Sequence, residues 1–129
     1  MKQPRWVPRL VVEAIQFDQV REHGGLPGLR DDAALDAALA RPRHRWAYKR
    51  RPDRATLAAA YAFGLVRDHP FHDGNKRVGF LTMVVFLVLN GLDLQAPEDE
   101  VVRTMLGLAA GEVTEAQLAR WIRQHAVKR

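Results

Sequence analysis

The chain contains no cysteine. That absence excludes a disulfide framework, a thiolate metal site and a cysteine nucleophile, and a reducing cytoplasm is the natural setting for such a protein. It also lacks a long apolar run. The longest uncharged stretch, Val78 to Leu92, falls short of the roughly 20 apolar residues needed to span a bilayer, and it includes Asn90 and two glycines. A secretory signal is missing too: the basic Met1–Trp6 segment is followed by apolar residues that Pro8, Arg9 and Glu13 interrupt. No internal repeat or low-complexity tract occurs, so export, membrane insertion and solenoid architectures are not expected.

What is present suits one globular unit. The 129 residues are 47% hydrophobic, enough for a single domain spanning 1–129 around one core. The net charge of +5 and a pI near 10.2 are compatible with ATP, an acidic protein or nucleic acid as a partner.

Apolar periodicity predicts helices throughout. Pro8 suits a first helical turn, and Leu10, Val11, Ala14, Ile15, Phe17 and Val20 recur at helical spacing until Gly24-Gly25. Asp31 or Asp32 can cap a short second helix carrying Ala34, Leu35, Ala38 and Leu39, which Pro42 is expected to end. The basic segment 41–54, with Trp46 and Tyr48, breaks the pattern and reads as an exposed flap. Ala55 to Asp68 is alanine-rich and predicts a buried helix in which Gly64 permits close packing.

Asn75 to Asn90 is apolar nearly all round, as befits the centre of a bundle. Gly91 is placed to end it. Pro97 and the acidic Glu98-Asp99-Glu100 open another helix, with Val101, Val102, Met105, Leu106 and Leu108 as its expected inner face. Thr114 and Gln117 form a capping box ahead of the last helix, where Leu118, Trp121 and Ile122 point inward. The fold class is therefore all-α, a bundle of about six helices.

Between the two central helices lies His69-Pro70-Phe71-His72-Asp73-Gly74-Asn75-Lys76-Arg77. Gly74 and Asn75 mark a turn that feeds a helix N-terminus, where unpaired N–H groups and a positive dipole end favour an anion such as phosphate. Lys76 and Arg77 add formal charge, and Arg77 can clamp phosphate with two parallel donors. Asp73 offers hard oxygen ligands suited to magnesium that also binds nucleotide phosphates; a helix cap or a salt bridge to Lys76 or Arg77 is the alternative. His69 supplies a base that works near neutral pH. Phe71, one aromatic in a polar loop, reads as an anchor in the core. Gly74 lets backbone approach phosphate, while Asn75 orients a phosphate oxygen or stiffens the loop.

This loop resembles that of the Fic/Doc family, His-x-Phe-x-Asp/Glu-Gly/Ala-Asn-Gly/Lys-Arg, at His69, Phe71, Asp73, Gly74, Asn75, Lys76 and Arg77. Lys76, together with Phe80 where adenylylating members carry a second arginine, resembles the death-on-curing (Doc) branch; so does His23-Gly24-Gly25-Leu26-Pro27-Gly28-Leu29-Arg30-Asp31. Pro70 and Gly74 are instead the choices of adenylylating members. The resemblance implies the Fic fold, a Doc-type toxin, and ATP and Mg²⁺ at the loop. With ATP reversed, its γ-phosphate would face His69 and the enzyme would be a protein kinase; the alternative is AMP transfer. It further implies a threonine of translation elongation factor Tu as target, a target-docking role for segment 41–54, and an antitoxin acting in trans. No Glu here is followed by Gly or Asn, as the family's in-cis inhibitory helix requires.

Three other readings stand beside these. A metal phosphohydrolase of the HD type would use His44, His72-Asp73 and Asp93, leaving Gly-Asn-Lys-Arg without a role. A nucleic-acid module would use the basic flap, with Trp46 and Tyr48 as stacking groups. A catalytically dead regulatory binder would keep the loop without its chemistry. His72 has no assigned role.

Overall fold

The computed structural model describes residues 2–129, which form six helices and a small two-stranded sheet. The helices are α1 (Arg9–His23), α2 (Asp32–Tyr48), α3 (Arg54–Asp68), α4 (Asn75–Leu89), α5 (Glu98–Ala110) and α6 (Glu115–His125). Strands β1 (Leu92–Leu94) and β2 (Ala126–Lys128) pair antiparallel, with Asp93 opposite Val127. Three-residue strands are too short to leave a periodic signal in the sequence.

Helix α3 is the axle. Its alanines at 58, 59, 60 and 62 are buried together with Leu57, Tyr61, Leu65 and Val66. Small side chains let neighbouring helices approach closely. A Cβ on Gly64 would stand 3.1 Å from Ala38 Cα on α2, and one on Gly79 of α4 would stand 2.7 Å from Val66 Cγ2. Phe86 of α4 packs against Tyr61 and Trp6, with ring centroids 5.3 and 6.1 Å away. Tyr61 also holds the N-terminal segment, its hydroxyl accepting the Val7 N–H at 3.0 Å.

Pro42 does not end the second helix. Asp31 caps α2 by accepting the Ala34 N–H at 3.0 Å, and the helix then runs through Pro42 to Tyr48. An internal proline costs about 3 kcal/mol locally, so contacts made elsewhere must hold the C-terminal half. Arg41 and Arg45 both bond the Glu115 carboxylate, at 2.7 and 2.9 Å, and Arg41 lies 4.4 Å over the Phe63 ring. Most of the expected flap is therefore helix.

Two helix faces also differ from expectation. The buried stripe of α1 is Val12, Gln16 and Val20, while Leu10, Val11 and Phe17 are exposed. On α5 only Met105 and Leu108 are buried; Val102 and Leu106 are 51% and 53% exposed. The apolar stripe of α5 is wider than the surface its neighbours cover, and its outer part borders the cleft described below. The capping box of α6 forms as expected, with Gln117 N–H to Thr114 Oγ1 at 3.1 Å and Thr114 N–H to Gln117 Oε1 at 2.9 Å.

Two stability measurements follow. Gly79→Ala forces its Cβ against the stiff, buried Val66 and should lower the unfolding free energy by about 1–3 kcal/mol, a strain partly offset by alanine's helix propensity; urea denaturation reads it. Partial burial pushes the Asp53 carboxyl up, but bonds from Arg123 and Thr56 outweigh this and hold it at about 2, below an ordinary 3.8. Its contribution is thus present above the unfolded value and lost as pH falls toward about 2. Asp53→Asn should flatten the acid limb of stability, measured by denaturant titrations from about pH 5 to pH 2.

Candidate active site

The junction of α3 and α4 forms the site. Helix α3 ends at Asp68, and His69 follows in the left-handed region, φ 51 and ψ 55. Such a conformation costs a non-glycine residue about 1–2 kcal/mol. Arg30 secures it, Nε donating to the His69 carbonyl at 2.7 Å and a terminal nitrogen to the Asp68 carbonyl at 3.0 Å. A guanidinium there also meets the negative end of the α3 dipole.

The turn itself closes on Asn75. Asn75 is buried, and its carboxamide oxygen accepts the Phe71 N–H at 3.0 Å while its nitrogen donates to the Phe71 carbonyl at 3.0 Å. The second amide hydrogen faces His69 Nδ1 at 3.2 Å. Of the two roles expected for Asn75, the structure places the loop-stiffening contacts. Phe71 is buried in the core, as expected of an anchor. With Nδ1 accepting, the neutral His69 ring carries its proton on Nε2. Base chemistry at Nε2 therefore requires a proton shift within the ring and release of the Asn75 contact.

Gly74, at φ 81, precedes α4, and among the described residues no side chain caps that helix. The first amide bonded within it is Val78 N–H, to the Gly74 carbonyl at 2.8 Å. The opening amides of α4, with exposed Lys76 and Arg77 beside them, form a place where an anion can sit.

A strap from Gly24 to Asp31 braces the loop from outside. Leu29 bridges Phe71, Arg30 and Asp31 N–H groups donate to the Pro70 carbonyl, and His72 N–H donates to the Gly28 carbonyl. Leu26 N–H donates to Asp73 Oδ2 at 2.6 Å, which leaves Oδ1 as the uncommitted oxygen. Among the described residues no three His, Asp or Glu side chains gather as a metal site. One free carboxylate oxygen fits magnesium, which takes its other ligands from phosphate and water, and does not fit a cage made wholly of protein ligands.

His69, His72, Asp73, Gly74, Asn75, Lys76 and Arg77 line one cleft of about 580 Å³, continued by Phe80, Leu81, Val101, Val102, Met105 and Leu106. One end is polar and cationic, the other apolar, and the volume suits a nucleotide-sized ligand. Of the site residues expected from the sequence, all but Phe71, which is buried in the core, line this cleft. A larger cleft of about 740 Å³, lined by Arg41, His44, Arg45, Tyr48, Lys49, Thr56, Arg120 and Arg123, lies at the other end of α3. Fifteen helical residues separate the two ends, about 22 Å. The cleft lined by Arg41, His44, Arg45, Tyr48 and Lys49 of segment 41–54 thus lies at the far end of α3 and not near the active loop, where the resemblance had placed the segment. Two of its arginines are also engaged, Arg41 and Arg45 sharing Glu115, and Arg123 of α6, which lines the same cleft, pairs with Asp53. The HD reading fails on the same geometry. His44 lies in this far cleft, and Asp93 faces Arg129 in the sheet, so neither joins His72-Asp73.

Sequence reasoning missed Gln16 and Arg30. Arg30 lies in the Gly-rich stretch 23–31 with no local signal of its contact to His69; Gln16 interrupts an apolar stripe, the one signal that marks it.

The family model described as Fic/DOC matches residues 6–87, well over half of the chain and all of the loop. The chain belongs to the Fic/Doc family. It is similar to "Protein kinase doc" of Escherichia phage P1, 30% identical over 111 residues covering 86% of this chain and 87% of the relative. It is also similar to "Toxin Doc" of Mycolicibacterium smegmatis, 41% identical over 80 residues, 59% of each chain. In this Fic/Doc chain, Asn75→Ala would leave both Phe71 backbone groups buried and unpaired, a loss of about 2–4 kcal/mol. Chemical denaturation checks the magnitude.

Proposed function

We propose that this protein is a Doc-type toxin that transfers the γ-phosphate of ATP to a Ser or Thr hydroxyl of a translation protein. Elongation factor Tu is the assigned recipient, by the family resemblance. The observation carrying the reading is the one cleft that the uncapped α4 N-terminus, Lys76 and Arg77 share with the His69 imidazole and Asp73. Similarity to a relative named as a protein kinase supports phosphate over AMP as the group moved.

The chemistry divides among the residues as follows. His69, in the tautomer that leaves Nε2 unprotonated, takes the proton of the incoming alcohol, whose oxygen then forms the new bond to the γ-phosphorus as the bond to the β-phosphate oxygen breaks and ADP leaves. The α4 amides, Lys76 and Arg77 hold the charge that spreads over the phosphoryl oxygens. Asp73 would hold a magnesium ion, which supplies further neutralisation of phosphate charge when bound. Asn75 and Phe71 fix the loop so that these groups share one geometry. The apolar wall of Phe80, Val102 and Leu106 offers the nucleobase a surface. A separate antitoxin chain restrains the enzyme. Among the described residues no helix is long and apolar enough to cross a membrane, and the reading places the protein in the cytoplasm, where ATP and translation factors occur.

The test uses purified protein, magnesium, elongation factor Tu and ATP labelled at either the α or the γ phosphorus. Label should reach the target from the γ position only, and His69→Ala should slow transfer by about 100-fold or more. Transfer from the α position would make the protein an adenylyltransferase instead.

A further inference from the structure

The stripe by which α1 packs on the bundle has an amide in its middle. Gln16 is 2% exposed, so its polar atoms need partners inside the protein. All of those partners belong to the strap or the active loop. Oε1 accepts the Gly28 N–H at 3.1 Å, and Nε2 lies 3.3 Å from the Leu26 carbonyl and 3.2 Å from the Asp73 carbonyl. One buried side chain thus fixes the Leu26 peptide and the Asp73 backbone relative to each other. The Leu26 N–H in turn holds Asp73 Oδ2. Gly25 closes the arrangement: at φ +113, a Cβ there would stand 2.9 Å from Asp73 Cβ. The strap touches Asp73 at a distance no side chain would permit.

We propose that Gln16 and Gly25, both outside the His69–Arg77 motif, are positioning residues that aim the Asp73 carboxylate at nucleotide-bound magnesium. The inference rests on Asp73 as the magnesium ligand. Leu26 occupies Oδ2, so Asp73 can offer one oxygen in a fixed direction. Magnesium demands near-ideal octahedral geometry and tolerates little error in that direction. Groups that orient a metal ligand are typically worth about 10- to 100-fold in affinity.

The test measures Mn²⁺, a paramagnetic substitute for Mg²⁺, binding to the full chain with a non-hydrolysable ATP analogue, read by electron paramagnetic resonance. Wild type, Gln16→Met, Gly25→Ala and Asp73→Ala are compared, each with its melting temperature. Gln16→Met and Gly25→Ala should each weaken Mn²⁺ binding by about 10-fold, and Asp73→Ala by at least as much. In turnover assays the first two should need more Mg²⁺ for half-maximal rate, with kcat recovered at saturation. A purely structural role would lower the melting temperature and leave the Mn²⁺ affinity of the folded protein unchanged. Should Gln16→Met not fold, Gly25→Ala, at an exposed turn, carries the test. The proposal is overturned if the folded variants bind Mn²⁺ like wild type while Asp73→Ala does not. If Asp73→Ala also binds like wild type, the magnesium reading of Asp73 falls and takes this one with it.

Discussion

The Asn75 carboxamide bonding both backbone groups of Phe71 is the constraint on which the site depends. A turn between two buried helices has polar backbone that cannot reach water, and here one side chain satisfies a donor and an acceptor at once. Because Asn75 reaches back into the turn, and because Gly74 has no side chain, nothing caps α4. Rigidity of the loop and openness of the anion site therefore have a common origin. A capping Ser or Asp at position 74 would hydrogen-bond the amides that a phosphate needs.

The site draws on three stretches of chain. The motif supplies the imidazole, carboxylate and cationic side chains of the cleft, α1 supplies Gln16, and the strap supplies Arg30, Leu26 and Gly25. His69 is held in a conformation it would not adopt alone, and the bonds that offset this strain come from Arg30, which is remote in sequence. The left-handed backbone at His69 turns the chain out of α3; His69 lines the cleft and Phe71 enters the core.

Charge alone would have pointed to the wrong place. The larger cleft is lined by more cations, yet Glu115 and Asp53 neutralise several of them inside the fold. At the smaller cleft the carboxylate of Asp73 is partly occupied by a backbone amide instead of a cation, so Lys76 and Arg77 keep their charge for a ligand. Tyr48, 85% exposed beside the larger cleft, lies edge-on to the His44 ring with centroids 6.2 Å apart.

The sequence by itself determined the helical class, the helix ends near Asp31 or Asp32, Gly91, Pro97 and Thr114, and the make-up of the turn that joins α3 to α4. These are local: caps, turn residues and motif spacing act within a few positions along the chain. Only the tertiary structure decided that α2 continues past Pro42, because Glu115 and Phe63, distant in sequence, hold its far half. It alone chose Val12, Gln16 and Val20 as the packed face of α1, since helical spacing fits several faces and the neighbouring helices select among them. It alone joined Gln16, Gly25 and Arg30 to the loop, through bonds spanning 57 residues from Gln16 to Asp73 and 39 from Arg30 to His69. No periodicity encodes a contact of that range; it exists once the helices have packed.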